Sequence, residues 1–199
     1  MSYYRKYIKY KKKYYDLKES TNNNVYILHT PLQFDNIIGI LNDGVIKLGS
    51  DLPENLRNLS KFEPLPYIFG RFFFSDIPET HIKWNILVFD KKILDDYDIA
   101  FNDAWFAGIN NNSIMFYHND TLDTRQKKLN LVKKLIKEKT CESDIMNHEL
   151  LFQKRIKIKK YLRAIVFYWK DEKQHKILED IIKKKYENVM ILDDIKKLV

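Results

Sequence analysis

The spacing of apolar residues predicts three amphipathic helices in the body of the chain. Apolar side chains recur every three or four positions after Pro31, from Leu122 to Lys139 and from His175 to Tyr186, which is the period of a helix with one buried face. The first pattern stops at Asn42-Asp43-Gly44, a sequence typical of a helix C-cap. The second predicts a buried face made of Leu129, Val132, Leu135 and Ile136.

Short runs of β-branched and aromatic residues predict the strands. These runs are Val25–His29, Phe72–Phe74, Ile86–Phe89, Ser113–Tyr117, Leu162–Trp169 and Val189–Leu192, and Glu149–Phe152 is similarly short and apolar around its acid. Residues 50–66 contain three prolines and predict a loop. Because helices and strands mix without regular β-α-β alternation, the pattern favours the α+β class.

The first twenty residues form a separate basic and aromatic leader. Its apolar positions recur at helical spacing with lysines between them, namely Tyr3, Tyr7, Tyr10, Tyr14 and Leu17. We expect an amphipathic helix that docks on the body or on a partner through this stripe. The polar residues 20–24 read as a linker. The sequence therefore predicts a leader over residues 1–20 and one domain over residues 21–199.

Composition places the chain among folded proteins without a disulfide framework. It has 199 residues, 45% of them hydrophobic, and a single cysteine, Cys141, which excludes an intramolecular disulfide and fits a reducing compartment. No apolar run approaches the length of a bilayer crossing, and the N-terminus lacks the apolar segment of a secretory signal. We expect a soluble intracellular protein of the cytoplasm or nucleus, with no membrane association. The Lys-, Asn- and Ile-rich composition resembles that of large DNA viruses, which would place the protein in a host cell or a virion.

Positive charge is concentrated at the two ends of the chain. The net charge is +8, with seven Lys and Arg against two acids in residues 1–20 and fourteen against seven in residues 154–199. Such ends could attract a polyanion, either a nucleic acid or an acidic protein surface. The alternative is that the lysines reflect codon bias and lie on solvated helix faces.

Several familiar kinds of site are absent from the sequence. It contains no glycine-rich phosphate loop, no dinucleotide fingerprint and no zinc-protease motif. Asp95, Asp96 and Asp98 are possible metal ligands, but such an acidic cluster is more often solvated, and we predict no metal. The pairs Cys141 with His148 and His118 with Asp120 have no third group to orient them.

Three separated stretches resemble elements of one known family. They are Leu28 to Ile46 (L-H-T-P-L-Q-F-D-N-I-I-G-I-L-N-D-G-V-I), Phe69 to Asp76 (F-G-R-F-F-F-S-D) and Asn147 to Phe167 (N-H-E-L-L-F-Q-K-R-I-K-I-K-K-Y-L-R-A-I-V-F). In order and spacing they are similar to the ADP-ribosyltransferase superfamily, in its diphtheria-toxin and poly(ADP-ribose)-polymerase branch. That branch carries a His-Tyr-Glu triad on three strands. The resemblance covers residues 25 to 170.

The resemblance implies roles for five residues around the substrate NAD. Glu149 would be the catalytic carboxylate that stabilises positive charge on the ribose as nicotinamide leaves. His29 and Thr30 would hold the adenosine side of the dinucleotide. Phe73 would stack on nicotinamide, with Ser75 at its carboxamide end.

Two features depart from the family pattern. The stacking ring is usually a tyrosine, so Phe73 would lack one hydrogen bond, and Phe72 or Phe74 could take its place because the register of the run is open by one residue. The small residue that often separates the histidine from the hydroxyl residue is missing, since Thr30 follows His29 directly.

The resemblance also implies a fold and a reaction. The fold would be two facing antiparallel sheets that form an NAD cleft, flanked by helices. The reaction would be that of a glycosyltransferase-type enzyme, a mono-ADP-ribosyltransferase that uses NAD, no metal and a protein acceptor. One alternative is modification of DNA or RNA, gripped by the basic residues Lys154, Arg155, Lys157, Lys159 and Lys160. Another is a degenerate module that binds NAD or nucleic acid without catalysis.

Overall fold

Three helices flank the sheets in the part of the chain that the computed structural model describes, residues 25–31, 33–52, 66–77, 84–104, 108–142, 148–168 and 171–198. They are α1 (Phe34–Asp43), α2 (Leu122–Glu142) and α3 (Glu172–Lys185). All three predicted helices are confirmed. The α1 helix starts after Pro31 because Gln33 is still extended, and it ends at Gly44, whose φ of 68° and N–H bond to Ile40 O (2.8 Å) form a left-handed cap.

Ten strands are formed by the described residues. They are β1 (Val25–His29), β2 (Val45–Ile46), β3 (Ile68–Phe74), β4 (Ile86–Asp90), β5 (Ile99–Asn102), β6 (Ile114–Phe116), β7 (Glu149–Phe152), β8 (Ile156–Lys157), β9 (Leu162–Val166) and β10 (Met190–Leu192). The predicted strands are confirmed with small changes of boundary. Three strands were not predicted: β5, which is short and apolar, and the two-residue strands β2 and β8.

Eight of these strands form one sheet in the order β10-β9-β4-β1-β3-β7-β5-β6, and β2 pairs with β8 in a second sheet of two strands. Only the pair β9–β10 is parallel among the described ladders. Most neighbouring strands therefore pair in antiparallel orientation, and the α+β class is confirmed.

The large sheet divides at β3. Residues Arg71 to Phe74 pair with β1 on one edge, while Ile68 to Gly70 pair with β7 on the other edge. The β10-β9-β4-β1 half and the β7-β5-β6 half thus share β3 but leave it at different points. The two predicted sheets are joined through this strand.

The strands bury both faces of the sheet. Alternate residues such as Ile27, Phe72, Leu87 and Phe101 contribute to a large core under the helices. On the opposite face Leu28, Phe73 and Val88 belong to a smaller cluster. On α2, Leu129, Val132 and Ile136 are buried and Leu135 packs against the core, which confirms the predicted face.

The predicted leader over residues 1–20 and the linker at 20–24 lie outside the described residues. The loop predicted at 50–66 is described only at its two ends, where Gly49–Asp51 forms a 3-10 turn. Among the described helices, none is long and apolar enough to cross a membrane.

Candidate functional site

Buried polar side chains concentrate at the start of β7. Among the described residues, four polar or charged side chains are buried, and three of them are Asn102, His148 and Glu149. The Glu149 side chain is only 2% exposed. Burying a carboxylate costs free energy unless it is hydrogen-bonded or paired, so such a group in a core strand marks a candidate site.

Two strands place polar partners beside Glu149. Asn102, the last residue of β5, is its direct partner across the ladder, and Asn102 Nδ2 donates to Glu149 Oε1 at 3.2 Å. On the other side the β3–β7 ladder ends at Gly70 and Leu150, so Arg71 and Glu149 are each the next residue along. Side chains at such positions share one face of the sheet. A cation, a carboxylate and an amide therefore lie in a row.

The ring of His29 is fixed at the end of β1. Nδ1 lies 2.8 Å from the carbonyl oxygen of Phe69. A carbonyl can only accept, so Nδ1 carries the hydrogen and the neutral ring has its lone pair on Nε2. Burial lowers the pKa of His29, and the bond to Phe69 offsets only part of this effect. The ring is therefore neutral at pH 7, with Nε2 as a hydrogen-bond acceptor.

The chain brings His29 and Glu149 to the two neighbours of β3, although 120 positions separate them in the sequence. Two strand spacings, each of about 4.8 Å, separate β1 from β7. Because side chains alternate along β1, Leu28 and not His29 shares the sheet face of Glu149. The hydrogen bond to Phe69 O holds the His29 ring beside β3 at the end of β1.

The structure separates the three aromatic rings of β3. Phe72 and Phe74 belong to the large core, where Phe72 contacts Phe101 and Phe116. Phe73 lies on the other face, the one that Arg71 and Glu149 share, and its ring is 6.4 Å from that of Tyr26. Phe73 is thus the member of the run on the side of the buried carboxylate, and it is itself buried.

The two hydroxyl residues follow strand ends. Thr30 comes directly after β1 and is partly buried beside His29. Ser75 begins the turn after β3, where Ile77 N donates to Phe74 O at 3.0 Å, and it too is partly buried.

Two residues of this site were missed from the sequence. Asn102 and Arg71 sit in unremarkable local sequence, and only the strand pairing brings them to Glu149. The available signal was weak: Asn102 follows the apolar run Ile99–Phe101, where a polar residue ends a buried strand.

The acidic residues after β4, Asp95, Asp96 and Asp98, form ion pairs and hydrogen bonds with neighbouring side chains. Asp95 pairs with Arg125, and Asp96 binds both Lys160 and Tyr161. Asp98 accepts from the Nδ1 of His118 at 2.8 Å, so His118 is oriented by this residue and not by its neighbour Asp120. Within the described ranges no group of three or more His, Cys, Asp or Glu side chains could hold a metal ion.

Comparison with known proteins gives a family of unknown function. The model of a family described as "Family of unknown function (DUF5846)" matches residues 22–139. Over 168 residues the chain is 31% identical to "Uncharacterized protein R11" of Acanthamoeba polyphaga mimivirus. The match covers 79% of this chain but 62% of that protein, so the chain spans less than two thirds of its relative.

Solved structures of similar fold belong to DarT of Thermus sp. 2.9. The structure with carba-NAD+ has a TM-score of 0.51 and 16% identity over 84% of this chain and 94% of that chain. The structure with NAD+ has a TM-score of 0.50 and 16% identity over 85% of this chain and 96% of that chain. A third, with ADP-ribosylated ssDNA, has a TM-score of 0.45. The predicted ADP-ribosyltransferase fold is confirmed.

Proposed function

This chain belongs to the family of unknown function DUF5846, and we propose that it transfers ADP-ribose from NAD to an acceptor and releases nicotinamide. The observation that carries the proposal is Glu149, a buried carboxylate hydrogen-bonded to Asn102 within an ADP-ribosyltransferase fold. The DarT proteins of similar fold are described with NAD+ and with carba-NAD+, which makes NAD the substrate to test.

Glu149 supplies the electrostatic part of the reaction. As the bond between nicotinamide nitrogen and ribose C1′ breaks, nicotinamide leaves with the electron pair and positive charge develops on the ribose. A carboxylate held in a protein interior stabilises that charge more than one in water does. A nucleophilic oxygen or nitrogen of the acceptor then bonds to C1′, and its proton passes to solvent water.

His29 and the hydroxyl residues account for binding. The neutral imidazole presents Nε2 as an acceptor, because Nδ1 donates to Phe69 O. We assign Nε2 to a ribose hydroxyl on the adenosine side of NAD, with Thr30 next to it. We also assign Phe73 and Ser75 to the nicotinamide, as the sequence predicts; the position of Phe73 on the sheet face of Glu149 supports this assignment.

The charge of α2 favours nucleic acid as the acceptor, the alternative foreseen from the sequence, over the protein acceptor. This helix carries seven Lys and Arg against three acids, and three of its seven cations pair with acids outside the helix. Lys133 pairs with Asp76 at 2.6 Å and lies 5.9 Å from the ring of Phe74, so α2 runs beside the end of β3 that precedes Ser75. Lys137 is exposed, and so is Lys134, which pairs with Glu138 at 3.7 Å; both can contact a phosphate backbone.

A nicotinamide-release assay with the full chain tests the function. Replacing Glu149 with Gln keeps the size of the side chain and removes its charge. We expect nicotinamide release from NAD to fall about 10²- to 10³-fold, with unchanged circular dichroism and melting temperature. Equal rates in the two proteins would overturn the proposal.

The same assay separates the remaining alternatives. With NAD labelled in its ADP-ribose part, transfer to single-stranded DNA or RNA that falls steeply with salt supports a nucleic-acid acceptor. Label confined to an added protein mixture supports the protein acceptor. Binding of NAD in calorimetry without any nicotinamide release identifies a degenerate module.

The mimivirus relative supports a viral origin for the chain.

A further inference from the structure

Asn102 lies at the centre of a small buried hydrogen-bond network. It is 4% exposed and faces Glu149 across the β5–β7 ladder. Its Nδ2 donates to Glu149 Oε1 at 3.2 Å and to the carbonyl oxygen of Gly108 at 2.6 Å. One amide therefore joins the candidate catalytic carboxylate to the loop that follows β5.

The partners of Asn102 permit only one orientation of its amide. Gly108 O can only accept, so the NH2 group must face Gly108 and Glu149. The amide oxygen, Oδ1, then faces Ser113 Oγ, which donates to it at 2.6 Å. Ser113 Oγ in turn accepts from Asn110 N–H at 2.9 Å. A flipped amide would turn its oxygen towards two oxygens, so the network locks the donor on Glu149.

We propose that Asn102 is a positioning residue for Glu149, with Ser113 fixing its amide and the Gly108–Ser113 loop as the support. The inference rests on the function proposed above. The Nδ2–H donor holds the Glu149 carboxylate in one rotamer, in the orientation that the developing ribose cation requires. In this role Asn102 acts through Glu149.

Other titratable and charged groups surround the same carboxylate. Arg71 of β3 shares its face, His148 precedes it in the chain, and His29 lies beyond β3. A test must therefore change Asn102 alone and leave these groups in place.

Replacing Asn102 with Asp gives the sharpest test. The substitution keeps the shape and the acceptor for Ser113 but points an oxygen at Glu149. We expect kcat for nicotinamide release at pH 7 to fall about 10- to 100-fold, with KM for NAD changed less than about twofold.

Asn85 provides the matched control. It is the other buried asparagine among the described residues, and its Oδ1 accepts from Tyr168 N at 3.2 Å. Asn85→Asp keeps that acceptor and should leave kcat and KM for NAD unchanged. Ser113→Ala, which removes only the fixing donor, should lower kcat by less than Asn102→Asp and leave KM for NAD unchanged. This variant also provides the test of kcat if Asn102→Asp does not fold.

The outcomes distinguish this inference from the proposed function. A crystal structure of Asn102→Asp shows the rotamer of Glu149 and needs no turnover. An inactive wild type, together with a changed Glu149 rotamer in Asn102→Asp, would end the proposed function and keep the positioning role. Wild-type kcat and an unchanged Glu149 rotamer in Asn102→Asp would overturn the positioning role. A wild-type kcat in Ser113→Ala would contradict the claim that Ser113 fixes the orientation of the Asn102 amide.

Discussion

His29 closes β1 with its ring held against the backbone of β3, and this environment has a consequence for stability. Burial lowers the pKa of the ring in the folded protein. In the unfolded chain the pKa is about 6.5, so the unfolded state takes up a proton first as the pH falls. The neutral ring therefore contributes its full stability above the unfolded pKa and loses it as the pH falls towards the folded one.

The variant His29→Asn tests this prediction. Asparagine can still donate to Phe69 O from the δ position but does not titrate. We expect the wild type to lose more unfolding free energy than the variant between pH 7.5 and pH 5.5, measured by urea denaturation. The two proteins differ only at this position, so the contributions of all other groups cancel. An equal loss in both would show that the buried ring is not the source.

At this scale the sequence reveals a residue that is unusual in its segment more readily than it reveals the partners of that residue. Glu149 stood out because a carboxylate inside an apolar strand is unusual, and His29 because it ends a β-branched run. Asn102 and Arg71 carried no such signal, since their importance comes from neighbours on other strands. The choice among Phe72, Phe73 and Phe74 also required the strand pairing, which assigns them to opposite faces.

Among the helices and strands, too, the sequence predicts those with a strong local pattern and misses those that depend on partners elsewhere in the chain. The three helices were predictable because a 3.6-residue period extends over ten or more positions. β5 has four residues buried on both faces and shows no alternation, while β2 and β8 have two residues each. Such segments become strands only through their partners, so propensity alone does not reveal them.

Two glycines give an opposed pair of predictions for the elements that hold the site. A Cβ at Gly70 of β3 would lie 3.0 Å from the backbone oxygen of Leu28, next to the point where the sheet divides, whereas one at Gly39 of α1 meets nothing within 4 Å. We expect Gly70→Ala to lower the unfolding free energy by about 1–3 kcal/mol. Gly39→Ala should raise it by about 1 kcal/mol because alanine is the better helix former.

Chemical denaturation of both variants measures the difference. If Gly70→Ala were as stable as the wild type, β1 and β3 could separate without cost and the site would not depend on their close approach. A lower stability of Gly39→Ala would show that α1 is not a regular helix whose exposed side contains Gly39.

For the whole molecule, the decisive feature is that β3 is shared by two halves of one sheet. β1 leaves it near Gly70 and β7 begins beside Arg71, so residues from distant parts of the sequence meet there. The order of the motifs in the sequence led to the prediction that residues of β1, β3 and β7 form one site. Their separation and faces could not be predicted, because they depend on strand register.

The central claim is that one NAD molecule contacts both Glu149 and His29 across β3. The most direct test is a crystal structure of the full chain with carba-NAD+, a substrate analogue. We expect a hydroxyl of the nicotinamide-side ribose to lie about 2.6–3.2 Å from a Glu149 carboxylate oxygen. We expect a hydroxyl of the adenosine-side ribose to lie at the same distance from His29 Nε2. An analogue bound elsewhere, or bound to only one of the two residues, would contradict it.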